Sequence, residues 1–181
     1  MYSLLFWNKN VVNIDCVYKF KFINSYNLPK IDNINVNMCI ETALNNSKMI
    51  IYPISVLTIL TNQKPFTSRS KKNVFFKNFF MSVRVNLRKK QAYNFFSLLI
   101  FFVFPNNKKL QRLNIKKHNK YSKFSLTVNV KNLFSLPNLL DYYNRFQKNT
   151  QAIVNINTNI SNQKYLNTFF TSFQTFLVSC N

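Results

Sequence analysis

The chain has 181 residues, of which 47% are hydrophobic and 17% aromatic, and its 25 Lys and Arg residues face four acids for a net charge of +21. This apolar content excludes a disordered tail, and the length suits one domain with or without extensions. Because self-repulsion destabilises so charged a fold, the composition predicts an anionic partner, with nucleic acid first and an anionic membrane surface second.

Glycine is absent, whereas Phe, Asn, Lys, Ile and Tyr fill much of the chain. An average composition includes about 7% Gly, so we interpret the bias as mutational pressure in an AT-rich, organellar genome. That pressure accounts for part of the lysine content but leaves the scarcity of acids unexplained. The scarcity of acids therefore still favours an anionic partner.

The first half of the chain predicts an N-terminal segment followed by alternating strands and a helix. Residues 1–27 are predicted to be an N-terminal extension or a short helix, and residues 28–181 a single α+β domain. The apolar positions Ile50, Ile51, Ile54 and Leu57 indicate the helix. The predicted elements are a half-buried strand at Ile31–Met38, a helix at Asn46–Leu60, a short strand at Phe66–Ser70 and a clear strand at Met81–Arg88.

The second half predicts two further strands and two helices. The elements are a helix at Gln91–Phe104 ended by Pro105, a basic loop at Asn106–Lys120, strands at Ser122–Lys131 and Ala152–Thr158, and a last helix from Ser161 bearing Tyr165, Phe169, Phe173 and Phe176. This order predicts an α+β fold, in which an antiparallel sheet carries helices on one face as in an RRM-like αβ sandwich. The other face of the sheet is predicted to be open.

The polar sides of two strands suggest what this open face binds. Cations neutralise RNA phosphates, while amides and hydroxyls bond phosphates and 2′-OH groups, although a merely solvated sheet face would have a similar composition. Two basic clusters point the same way. The polar positions are Ser82, Arg84, Asn86 and Arg88 on one strand and Lys123, Ser125, Thr127, Asn129 and Lys131 on the other, and the clusters are Arg69, Lys71, Lys72 and Lys77, then Lys108, Lys109, Arg112, Lys116, Lys117 and Lys120.

Other chemistry is not expected. The four acids are scattered, His118 has no Cys or Ser partner in a recognisable motif, and the three Cys residues are widely spaced, so we expect no enzyme, no metal and no cofactor. No apolar run reaches the ~20 residues that span a bilayer. The aromatics Phe75, Phe76, Phe79 and Phe80 fit either base stacking or burial.

Several stretches resemble the family of the universal large-subunit ribosomal protein five, over roughly Leu28 to Phe176. They are LPKIDNINVNMCIETA, LTNQKPFTSRSKK, VRVNLRKKQAYNFFSLLIFFVFP and FSLPNLLDYYN, and the QKP motif with its basic run is the most specific of them. The matching positions are Pro29, Asn37, Met38, Glu41, Ala43, Gln63, Lys64, Pro65, Ser70, Lys72, Val85, Leu87, Arg88, Tyr93, Phe95 and Pro105.

The resemblance implies a structural protein of the large ribosomal subunit that binds rRNA at the central protuberance. Its implied partners are large-subunit rRNA, 5S rRNA where the ribosome retains it, and neighbouring ribosomal proteins. The AT bias adds a mitochondrial matrix location and an organelle-encoded gene, with another AT-rich organelle as the alternative. With the basic clusters, the implied RNA-binding residues are Asn37, Gln63, Lys64, Thr67, Arg69, Lys71, Lys72, Arg84, Arg88, Lys108, Lys109, Arg112, Lys116 and Lys117.

The chain also departs from the family pattern. Cys39, Asn62 and Lys89 stand where the family has glycine, and Asn is the residue that best tolerates a left-handed backbone after Gly. The segment between Gln63 and Arg88 is shorter than in the family, which puts contact with P-site tRNA in doubt. Two alternatives remain open at this point: a small basic subunit of an organellar membrane complex, and a non-ribosomal organellar RNA-binding factor.

Overall fold

The computed structural model contains a mixed arrangement of helices and strands and confirms the predicted α+β class. It describes residues 4–22, 24–39, 50–69, 80–103, 114–118, 123–130, 152–160, 162, 164–166, 168–170 and 172–173.

The N-terminal segment is helical. Helix α1 (Leu4–Trp7) continues through a π-helical turn, Asn8–Val12, into helix α2 (Asn13–Phe20). Lys21 ends α2 in the left-handed conformation, with φ 50° and ψ 48°, and its N–H donates to the Val17 carbonyl at 2.8 Å. The predicted boundary between residues 1–27 and 28–181 stays a prediction.

Six strands form one sheet in the order β2-β3-β1-β6-β5-β4. The pairs β2–β3 and β4–β5 are antiparallel. The strands are β1 (Ile31–Cys39), β2 (Phe66–Arg69), β3 (Phe80–Arg88), β4 (Asn114–His118), β5 (Lys123–Val130) and β6 (Ala152–Thr158).

The strands predicted from alternation are confirmed with small changes at their ends, but the predicted basic loop is partly wrong. Strand β4 lies within Asn106–Lys120, and the rest of that range is outside the described residues. The sequence NIKKH has too few apolar positions to show a period of two, so strand pairing with β5 rather than local pattern places it in the sheet.

Helix α3 (Ile51–Thr61) is confirmed, and the apolar stripe predicted for it is partly right: Ile50 and Leu57 are buried, whereas Ile54 is half-buried and Ile51 is exposed. Ile51 is 60% exposed, whereas Val56, Leu57 and Leu60 are buried. Because this helix is apolar on nearly every side, its sequence alone does not select the side that packs inward. Pro53, the third residue of α3, is tolerated because the N–H groups of the first turn have no partner within the helix.

Helix α4 (Lys89–Leu98) begins two residues before the predicted start and continues as a π-helical segment, Leu99–Val103. The described residues of the last helix, within 164–173, confirm its aromatic core positions. Phe169 and Phe173 are buried, and their ring centroids lie 4.9 Å apart in an edge-to-face arrangement. The predicted cap Ser161 and Phe176 lie outside the described residues.

Contacts between residues divide the chain into two compact units. The first comprises residues 1–34, 88–127 and 155–181, and the second residues 35–87 and 128–154. Phe96, Phe169 and Phe173 are among the buried residues of the first unit, and Val36, Leu57 and Val85 among those of the second.

The glycine-free chain adopts left-handed backbone at the ends of helices. Among the described residues, the non-glycine positions with positive φ are Lys21, Asn62 and Lys89. Asn62 and Lys89 are two of the three positions where the family pattern has glycine, whereas Cys39, the third, ends strand β1. The backbone that glycine would favour is therefore kept at two of these positions.

Candidate nucleic-acid interface

The two sides of β3 differ sharply in exposure. Val83, Val85 and Leu87 are at most 2% exposed, whereas Arg84, Asn86 and Arg88 are exposed. Since successive side chains of a strand point to opposite faces, the two arginines share one side of β3, with backbones roughly 13 Å apart at about 3.3 Å per residue. The predicted alternation of this strand is confirmed.

Strand β2 forms the edge next to β3 and adds hydroxyl groups to the same side. Ser68 pairs with Ser82 in register, and their Oγ atoms lie 2.6 Å apart in a hydrogen bond. Thr67 is exposed but pairs with Val83, so the register places it on the opposite side of β2 from Ser68. Arg69, the other predicted binding residue on this strand, is the last residue of β2 and follows a shift in the β2–β3 register.

Phe66 is the residue on this side that the sequence did not single out. It is 68% exposed and pairs with Arg84 in register, which places both residues on the same face. Its position opposite Arg84 depends on the β2–β3 register, which cannot be read from the sequence of either strand. Alternation along Phe66–Ser70 would have shown only that Phe66 shares a side of the strand with Ser68.

The QKP motif occupies the connection from α3 to β2. Asn62 ends the helix with φ 51° and ψ 30°, and its N–H donates to the Thr58 carbonyl at 2.9 Å. The left-handed residue turns the chain out of the helix. After this turn Gln63 is half-buried, Lys64 is exposed and Pro65 is buried. The buried proline thus anchors the turn, and the lysine is presented to solvent.

Amide groups line the same side of β1 as the sequence predicted. Asn35 and Asn37 are half-buried between the buried residues Ile34, Val36 and Met38. In the first unit, the Asn157 side-chain N–H donates to Oδ1 of Asn33, which links β6 to β1. Asn37 therefore lies on the side of β1 opposite Ile34, Val36 and Met38, while the side-chain amides of Asn33 and Asn157 bond each other.

The remaining predicted residues are placed only in part. Lys116 and Lys117 belong to β4, where they pair in register with Ser125 and Phe124. The others, Lys71, Lys72, Lys108, Lys109 and Arg112, lie outside the described residues.

A buried polar cluster in the first unit contrasts with this exposed surface. The Tyr93 hydroxyl accepts hydrogen bonds from Asn8 Nδ2 at 3.1 Å and from the Ile31 backbone N–H at 3.2 Å. Burial, followed by the charge of Asp32, raises the pKa of Tyr93 against the lowering effect of the Ile31 hydrogen bond. The phenol therefore stays neutral and ties α4 to β1 and to the N-terminal helices.

Cys16 is a buried free thiol whose pKa is raised by burial and then by Asp15, against a lowering effect of Lys19. Across the described ranges, no group of three or more His, Cys, Asp or Glu side chains is placed to hold a metal ion. In the same residues, no helix has the length and apolarity needed to cross a membrane.

Comparison with known proteins identifies the family. The family model of ribosomal protein L5 matches residues 24–77. The chain is 32% identical over 133 residues to the large ribosomal subunit protein uL5c of Chara vulgaris, covering 71% of the chain and 70% of that protein. The chain belongs to the uL5 family.

Two further uL5 relatives match nearly the whole chain. The uL5m protein of Reclinomonas americana is 29% identical over 170 residues, which cover 92% of each chain. The uL5 protein of Wigglesworthia glossinidia brevipalpis is 27% identical over 165 residues, covering 88% of this chain and 89% of the relative. The similarity therefore extends well beyond the segment that the family model matches.

Membership in the uL5 family confirms the main functional prediction. The protein is a structural component of the large ribosomal subunit, with rRNA and other ribosomal proteins as its partners, and it is not an enzyme. The two alternatives, a membrane-complex subunit and a non-ribosomal RNA-binding factor, lose their support. The individual RNA-binding residues remain predictions.

Proposed function

We propose that this uL5 protein binds rRNA at the central protuberance through the outer side of β3, where Arg84 and Arg88 are exposed. The observation that carries the proposal is the exposure of both arginines on a strand whose other side, at Val83, Val85 and Leu87, is fully buried. The buried side fixes the strand, and the strand in turn fixes the direction of both cations. Such pre-positioned cations suit a partner with a regular array of phosphates.

The charge distribution along these strands supports an external anion. Neither Phe66–Arg69 nor Phe80–Arg88 contains an acidic residue. With no acid on their own strands, these arginines have no nearby ion-pair partner there that would stabilise the fold. When they bind a nucleic-acid backbone, they displace the counterions condensed on its phosphates, which favours binding. Exposed Asn86 and the Ser68–Ser82 pair add groups that can bond phosphate or 2′-OH oxygens.

The proposed location is the mitochondrial ribosome, with an organelle-encoded gene. The similarity to a uL5m protein over 92% of the chain and the glycine-free composition support it. The proposed RNA partners are large-subunit rRNA and, where the ribosome retains it, 5S rRNA. Because the segment between Gln63 and Arg88 is shorter than in the family pattern, we propose that it makes no contact with P-site tRNA.

Charge reversal of both arginines tests the proposal. Arg84→Glu with Arg88→Glu should lower affinity for large-subunit rRNA about 100-fold and reduce the salt dependence of binding by about two phosphate contacts. Filter binding across a salt series measures both quantities, and sucrose-gradient sedimentation should show the variant released from the large subunit.

Two lysines of the N-terminal segment supply the matched control. Lys9→Glu with Lys19→Glu changes the net charge by the same amount at exposed positions outside β3. If this control weakens rRNA binding as strongly as the arginine variant, net charge alone drives binding. Normal incorporation of the arginine variant would likewise rule out the outer side of β3 as the RNA surface.

A further inference from the structure

Phe66 occupies an unusual position for a large apolar side chain. It lies at the start of the edge strand β2 and is 68% exposed, although exposed sites on strands usually carry polar groups. The register sets it directly opposite Arg84, and side chains of such pairs have Cβ atoms roughly 5 Å apart. The exposed residues Phe66 and Arg84 are therefore cross-strand neighbours on this side of the sheet.

Among the described residues of β2 and β3, the side chains on the same side as Phe66 are polar and none is acidic. On its side of β2 and β3, the other described side chains are Ser68, Ser82, Arg84, Asn86 and Arg88. Lys64 is also exposed, two residues before Phe66 in the chain. A protein-docking site would normally surround an aromatic anchor with further apolar area, whereas this ring is flanked by cations and hydroxyls.

We propose that Phe66 stacks on an unpaired base of rRNA while Arg84 binds a phosphate of the same or an adjacent nucleotide. This inference rests on the proposed function and adds the class of nucleotide that β2 recognises. Each nucleotide offers an apolar face beside an anion, and the Phe66–Arg84 pair offers an aromatic face beside a cation.

The chemistry restricts the RNA that fits. Bases inside an A-form helix are stacked on their neighbours, so a ring at a sheet edge reaches a base face only in a loop, a bulge or a strand end. Stacking tolerates any base because each has a π face. The site therefore selects unpaired RNA without selecting its sequence.

Three variants and one probe test the inference. The probe is large-subunit rRNA from the same organism as the protein, transcribed in vitro and bound to the full-length protein at a fixed salt concentration. Phe66→Leu should weaken binding about 5- to 100-fold, the range expected for loss of one base–aromatic stack, without changing the salt dependence. Phe66→Trp should retain the affinity, and Tyr26→Leu, which removes an 89% exposed aromatic from another part of the chain, should leave it unchanged.

Ultraviolet cross-linking gives a second readout at the residue itself. Irradiation of the wild-type complex at saturating rRNA should attach a nucleotide to Phe66, identified by mass spectrometry. Phe66→Leu should lose this product, whereas Arg84→Gln, compared at equal occupancy, should keep it. The Phe66 substitutions should leave the unfolding midpoint unchanged, because the ring is mostly exposed.

The outcomes separate this inference from the proposed function. If Phe66→Leu binds rRNA like wild type while the Arg84 and Arg88 variant does not, the stacking site is wrong and the proposed function stands. Unchanged rRNA binding by Phe66→Leu together with weaker binding to a purified neighbouring ribosomal protein assigns the ring to a protein contact and overturns the inference. Wild-type protein that fails to bind rRNA overturns both.

Discussion

Polar groups are concentrated in two regions, around Tyr93 and on the outer side of β2 and β3. Those around Tyr93 are buried and bonded within the protein, whereas those on β2 and β3 are largely open to solvent. Around Tyr93, which is 4% exposed, a phenol, an amide and a backbone N–H are buried and bonded to one another. Next to Asn8 in the chain, the Trp7 indole N–H donates to the Ser172 carbonyl at 3.3 Å. On β3, Arg84 and Asn86 are exposed to solvent.

This difference distinguishes residues that hold the fold from residues that serve a partner. A buried polar group must be bonded within the protein, because an unsatisfied one costs about 1–3 kcal/mol. An exposed arginine carries no such penalty and contributes little to stability. Tyr93 and Arg88 both match the family pattern, yet the structure gives them different physical roles.

Removal of the Tyr93 hydroxyl should produce the largest stability effect among the single substitutions. Tyr93→Phe leaves the Asn8 amide and the Ile31 N–H without their acceptor, so we expect the free energy of unfolding to fall by about 2 kcal/mol. Urea denaturation followed by circular dichroism measures it. Affinity for rRNA, measured where the variant remains folded, should not change.

The exposed Tyr26 provides the control for this substitution. Tyr26→Phe removes a hydroxyl from a side chain that is 89% exposed and should not alter the unfolding free energy. If the Tyr93 variant is as stable as wild type but binds rRNA weakly, Tyr93 belongs to the RNA-binding surface, and its assignment to the residues that stabilise the fold is wrong.

Lys89 tests whether backbone conformation, rather than side-chain contacts, limits stability where β3 ends. Lys89 has φ 50°, a conformation that costs a residue with a Cβ roughly 1–2 kcal/mol. Lys89→Gly should therefore stabilise the protein by about 1 kcal/mol, measured by urea denaturation.

Its neighbour provides a control with the same loss of charge. Lys90 lies in the first turn of α4 and is not among the positive-φ residues, so Lys90→Gly should destabilise by about 0.5–1 kcal/mol. Equal effects of the two substitutions would mean that charge loss rather than backbone strain decides the result.

The sequence predicted those features that depend on neighbouring residues along the chain. Alternation over Met81–Arg88 gave both sides of β3. Of the three positions where the family pattern has glycine, Asn62 and Lys89 have positive φ, whereas Cys39 ends strand β1. Features set by pairing between distant segments were missed. Strand β4 is held in the sheet by β5, and the placement of Phe66 beside Arg84 follows from the β2–β3 register.

The same reason explains why the predicted stripe of α3 is only partly right. Several stripes of this apolar helix satisfy helical spacing, and only packing selects Val56, Leu57 and Leu60 rather than Ile51 as the buried positions. The local sequence pattern therefore predicted the helices, the strands and the two sides of each strand. Tertiary contacts determine which apolar residues remain exposed to solvent. Phe66 is such a residue.

The smallest predicted effect concerns pH and also belongs to Tyr93. Because burial and Asp32 raise the pKa of Tyr93 in the folded protein, the unfolded chain loses the phenol proton first as pH rises above the ordinary value of 10.0. The folded state then binds more protons than the unfolded state, so stability falls with increasing pH. The stabilising contribution is complete below pH 10 and disappears as the pH passes the raised pKa.

Unfolding free energies at several pH values between 9 and 11, compared between wild type and Tyr93→Phe, isolate this contribution because all other groups are common to both. Wild type should lose more stability than the variant over this range, so the difference between them should shrink as pH rises. Parallel curves would show that Tyr93 titrates alike in the folded and unfolded states. That result would remove the phenol from the buried polar cluster and leave the hydrogen bonds of Asn8 and Ile31 to be explained without it.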